Sequence, residues 1–86
     1  MQPVSNSRTE KAILNEINQT SKRINRICEE IDSLRADCYW YRHKGEICNL
    51  EETKDRIKYR VGKLMKAVNR MNKLGREMNE KIHKAG

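Results

Sequence analysis

Apolar residues recur along this chain with a heptad rhythm. Ile13, Ile17, Thr20, Ile24, Ile27, Ile31, Leu34, Cys38 and Tyr41 are separated alternately by four and three residues, the spacing of a coiled-coil seam and not the two-residue period of a strand. With Ile17 as an a position, Ile17, Ile24, Ile31 and Cys38 form the a column, and Ile13, Thr20, Ile27, Leu34 and Tyr41 form the d column. So narrow a stripe needs a second helix to cover it. The same rhythm predicts one, running through Leu50, Lys54, Ile57, Val61, Leu64, Val68, Met71, Gly75, Met78 and Ile82.

Ser7-Arg8-Thr9-Glu10 has the form of a capping box, with a hydroxyl and a carboxylate satisfying backbone N–H groups of a first turn. A helix therefore starts near Arg8. No glycine or proline interrupts it before His43-Lys44-Gly45, which offers a cationic last turn and a glycine suited to the position after the helix end. Asn49 ahead of Leu50-Glu51-Glu52 reads as the cap of the second helix, with acids in its first turn. The expected layout is a tail over 1–6 and one domain over 7–86, with helices 8–42 and 50–84 joined by a turn over 43–49.

A connection that short makes the helices antiparallel, so the fold class is all-α, a two-helix coiled-coil hairpin. Packing Cys38 opposite Leu50 aligns Ile31 with Ile57, Ile24 with Leu64 and Ile17 with Met71. It also brings Glu30 to Arg60 and Arg35 to Glu51, whereas sliding by one heptad sets Arg35 against Lys58; the difference is small, because an exposed pair contributes about 0.2–1 kcal/mol. Lys54, placed on the seam, reaches water or Asp37. Gly75 marks either a tolerated defect or a close approach of another backbone.

Composition fits this outline. Hydrophobic and charged residues each make up 36% of the 86-residue chain, as expected when a two-helix seam buries about two positions in seven. Apolar residues off that seam, Leu14, Met65, Ala67 and Leu74, together with Met78 and Ile82 in an overhanging last heptad, widen the stripe beyond what one partner helix covers. These six are expected to meet a second copy, giving a homodimer with a four-helix arrangement.

The net charge of +7 favours anionic partners. Basic residues concentrate in the second helix at Arg56, Lys58, Arg60, Lys63, Lys66, Arg70, Lys73 and Arg76, with no acid between Arg56 and Arg76. On the heptad above, Lys63, Lys66, Arg70 and Lys73 form a ridge facing away from the seam, suited to an acidic protein surface or to the phosphate backbone of a nucleic acid. Tyr39 and Trp40 point outward near the turn, either folding over Ile47 and Leu50 or serving as an interface anchor beside Arg42, His43 and Lys44.

Chemistry finds little purchase. Cys38, His43 and Cys48 lack a near fourth ligand and a knuckle spacing, so no metal is expected. Cys28 and Cys38 would stand roughly 15 Å apart on one helix, too far to bond. No phosphate loop or nucleophile–base set accompanies the scattered carboxylates Glu29, Glu30 and Asp32, and two helices form no substrate cleft, so neither enzyme activity, a cofactor nor a small-molecule substrate is expected. The N-terminus has no basic and apolar leader and no window spans a bilayer, which points to an intracellular chain without a membrane partner. The reading is a non-catalytic protein–protein interaction module, an adaptor, inhibitor or scaffold component. The alternative is a nucleic-acid-binding accessory protein that uses Arg56, Arg60, Lys63, Lys66, Arg70, Lys73 and Arg76.

Overall fold

A computed structural model of the chain describes residues 9–85. Two helices, α1 (Glu10–Lys44) and α2 (Ile47–Ala85), fold back on one another as an all-α hairpin. The result is a rod of 64 × 20 × 15 Å.

Local chemistry sets the ends. Thr9, in an extended conformation, caps α1 by accepting the Ala12 N–H on its hydroxyl at 3.1 Å; the expected cap at Ser7 lies outside the described residues. At the other end Gly45 takes the left-handed conformation with φ 75°. Its N–H donates to the Arg42 carbonyl at 3.2 Å, and the Glu46 N–H donates to the Tyr41 carbonyl at 2.9 Å, the bond pair of a Schellman motif. This turn reverses the chain at once. α2 begins at Ile47 rather than Leu50 because nothing in Ile47-Cys48-Asn49 opposes a helix. The Glu46 carbonyl accepts the Leu50 N–H at 3.0 Å, and Asn49, inside the first turn, donates its side-chain amide to the Glu46 carboxylate at 3.0 Å.

α1 uses the heptad expected of it, with Ile13 and Ile27 buried and the other seam positions half-buried. α2 does not. Its column of Leu50, Ile57, Leu64, Met71 and Met78 lies on the seam as expected and, with the companion it takes, becomes the a column, where the expected stripe had Lys54 at an a position. The companion column, however, is Thr53, Arg60, Ala67, Leu74 and Lys81, one residue before the expected Lys54, Val61, Val68, Gly75 and Ile82. The helix is turned by about 50°, half of the roughly 100° between successive residues. Leu74, fully buried, falls in the register beside the equally buried Ile13, where the expected stripe would set Gly75 and leave a hole. Thr53 is buried without an orphaned hydroxyl because it donates to the Asn49 carbonyl at 2.7 Å.

The lengthwise alignment is the expected one. Arg60 reaches Glu30 at 3.6 Å. Arg70 hydrogen-bonds to Glu16, and the two pairs are offset to opposite sides of the alignment that sets Cys38 against Leu50. Arg35 and Glu51 do not pair among the described residues; Glu51 instead lies 3.9 Å from Lys54 on its own helix, so Lys54 also does not reach Asp37.

Candidate interaction surfaces

Turning α2 gives the rod two unlike sides. Ile13, Ile27, Thr53, Ala67 and Leu74 of the d columns are buried, whereas of the a columns Leu50 beside the turn is buried and Ile17, Ile24, Ile31, Ile57, Leu64 and Met71 stay half-exposed. Long charged side chains explain the difference on the d side: Glu16, Glu30, Arg60 and Arg70 cross the seam there and their stems shield it.

Among the described residues nothing shields the a side in the same way. In the half of the rod that holds the termini its rim on α1 is Leu14, Asn18, Ser21, Asn25 and Cys28, and on α2 it is Val61, Met65, Val68, Asn72, Gly75, Asn79 and Ile82, while towards the turn the same columns continue into Asp32 and Arg35 and into Glu51, Lys54 and Lys58. The rim positions of the terminal half carry no charge at all, in a chain that is 36% charged. Val61 is 39% and Val68 40% exposed, and Leu14, Met65 and Ile82 more so. Gly75 has open space around it, so the close approach considered for it does not come from α1.

The expected assembly residues therefore divide. Leu14, Met65 and Ile82 lie on this uncharged flank, whereas Ala67 and Leu74 are buried against α1 and Met78 is half-buried in the seam. Leu74 has no surface left for a second chain, and the little that Ala67 keeps opens on the other side of the seam. The physical reason is the same half-residue turn that pushes Val61 and Val68 out.

The basic residues also move. Arg60, expected beside the seam and opposite Glu30, is tied to Glu30 but stands on the seam itself. Lys63 and Arg70 border the seam on its d side, with Lys66 and Lys73 in the next column and Arg76 on the outer face. There Lys63, Lys66 and Arg70 meet Arg23 and Arg26 of α1 around a trough floored by Thr20, Ile27 and Ala67. The small Ala67 side chain between bulkier seam residues makes room for it. The sequence reading missed the two arginines, since the cross-helix neighbours of Lys63 and Lys66 depend on the rotation of α2. Among the described residues Arg23, Arg26, Lys63 and Lys66 have no carboxylate at ion-pair distance.

At the turn, Tyr39 stacks on His43 with centroids 5.8 Å apart and meets Trp40 edge-on at 6.4 Å. Tyr39 is 66% and Trp40 58% exposed, and Ile47 is exposed too. The aromatics thus stand on the outside of the tip instead of folding over Ile47. The described residues contain no cluster of three His, Cys, Asp or Glu placed to hold a metal ion, and no helix long and apolar enough to cross a membrane. No family model matches the chain, and no known protein or solved structure is similar enough to count as a match.

Proposed function

We propose that this chain is a non-catalytic protein–protein interaction module that works as a two-fold dimer, two hairpins joined flank to flank in a four-helix arrangement. The uncharged flank carries the proposal. Interface centres are depleted of charge and exposed apolar patches of this kind mark association surfaces, and a second copy supplies the matching uncharged strip by symmetry. Val61, Val68, Leu14 and Cys28 would lie near its middle, with Asn18, Asn25, Asn72 and Asn79 at the rim.

The turn end supplies the second contact of this reading. Tyr39, Trp40 and Ile47 form an exposed anchor beside Arg42 and Lys44, the residue types that dominate interface energetics, so a larger protein with an acidic rim around an apolar pocket suits it. Multi-angle light scattering tests the core of the proposal. The wild type should show twice the chain mass, and Val61→Lys with Val68→Lys should restore the single-chain mass while helical circular dichroism is kept. Tyr39→Ala with Trp40→Ala should leave the mass of the dimer unchanged. A wild type that stays monomeric at high concentration overturns the dimer.

A further inference from the structure

The trough on the opposite side of the seam is left open by such a dimer. Its rims are Arg23 and Arg26 on α1 and Lys63, Lys66 and Arg70 on α2. Two features make it a site for a ligand with repeated negative charge. Its one lining acid, Glu30, is already engaged by Arg60, and Arg70 alone among the rim cations has a carboxylate partner, Glu16. The rest of the positive charge faces an open trough.

Length and residue type narrow the ligand. From Lys63 to Arg70 the rim runs about 10 Å along the helix axis, which covers roughly three nucleotide steps at 3.4 Å per step. Arginine fits phosphate oxygens in a two-pronged geometry that lysine cannot match. One turn before Lys63 stands Tyr59, 65% exposed, with the Lys63 ammonium 5.1 Å from its ring centroid. A charged groove with an aromatic at its mouth is the arrangement that holds an unpaired strand, its backbone between the cations and a base on the ring. A duplex keeps its bases stacked inside and has none to give Tyr59.

We infer that the trough binds single-stranded nucleic acid, its phosphate backbone lying between the Arg23–Arg26 and Lys63–Arg70 rims and one base stacked on Tyr59.

Fluorescence anisotropy with a labelled single-stranded oligonucleotide, its duplex and a polyglutamate competitor tests this on the full chain. With three or four phosphates neutralised, raising salt fourfold should weaken single-strand binding roughly 20- to 50-fold. Arg23→Glu with Arg26→Glu should weaken it at least about tenfold and lower the salt slope by about 1.4. Tyr59→Ala should weaken it at least about fivefold and leave the slope unchanged. Lys58→Glu with Arg76→Glu makes the same change in net charge on other faces and should have a much smaller effect. If the glutamates at 23 and 26 reduce helicity, Arg23→Gln with Arg26→Gln gives the same reading with half the charge change. Equal losses from the control pair, duplex binding as tight as single-strand binding, or equally effective competition by polyglutamate would each overturn the inference.

Discussion

Gly62 and Gly75 both lie inside α2 with open space where a Cβ would go. Each weakens the helix by roughly 0.5–1 kcal/mol relative to alanine. Gly62→Ala, on the outer face, should raise the free energy of unfolding by that amount, read as a higher urea midpoint at unchanged slope. Gly45 is the opposite case: space is open there too, but φ is 75°, so Gly45→Ala should cost about 1–2 kcal/mol through backbone strain alone. An unchanged midpoint for Gly45→Ala would mean that the turn has another way to close. Burial separates two further positions. Leu74 is fully buried, and Leu74→Ala should cost about 3 kcal/mol. Ile27→Asp should abolish the fold, because a buried unpaired carboxylate costs several kcal/mol against a total margin of about 5–10 kcal/mol. Val61→Asp, once the expectation of a seam position is replaced by a half-exposed flank, should keep its helical circular dichroism.

At the scale of the helices, α2 can be read as two seams that share one column. Leu50, Ile57, Leu64, Met71 and Met78 belong to both, and the choice between the companions decides every surface of the molecule. By hydrophobicity alone Val61, Val68 and Ile82 compete well with Ala67 and Leu74. The packed pair selects the second set because Leu74 fills space beside Ile13, Thr53 bonds its own helix, and Arg60 and Arg70 reach acids on α1. Arg60 is the weakest member of that seam. Its side chain is 30% exposed and Glu30 is 47% exposed, so the pair contributes at most about 1 kcal/mol. Arg60→Leu should raise the thermal midpoint, since an apolar seam residue replaces a partly desolvated charge while Glu30 returns to water. A lowered midpoint would show that the ion pair, and not burial, holds the middle of the rod.

The two sides of the rod differ most in the half that holds the termini, where the a-side rim from Leu14 to Cys28 and from Val61 to Ile82 carries no charge and the d-side rim gathers Glu16, Arg23, Lys63 and Arg70. The proposed flank-to-flank dimer would cover Cys28 and leave Cys48, on the outer face of α2, open; both are exposed in the single chain. Alkylation of Cys28 should therefore run at least about tenfold slower than that of Cys48 at concentrations where the dimer forms, and the rates should converge on dilution. Equal rates in a sample that scatters as a dimer would place the interface elsewhere on the rod. Lysine at Leu74 does not test assembly, because it would disrupt the hairpin before it reached the interface.

Much of this was legible in the order of residues. The unbroken run of α1, the Gly45 stop, the antiparallel return and the lengthwise alignment all follow from local rules, since heptad spacing, a left-handed glycine and a short turn act within a few residues. The pairing of Glu30 with Arg60 follows from that alignment. Rotation of α2 about its own axis does not. It depends on which of two nearly equal stripes packs better against α1, a comparison of shape and polar satisfaction across the seam that no local window contains. That rotation of about half a residue buries Ala67 and Leu74, brings Arg23 and Arg26 to the lysines of α2, and sets Val61, Val68 and Gly75 on one uncharged flank. Sequence periodicity determined that there are two helices and how they align; only packing decided which residues they turn outward.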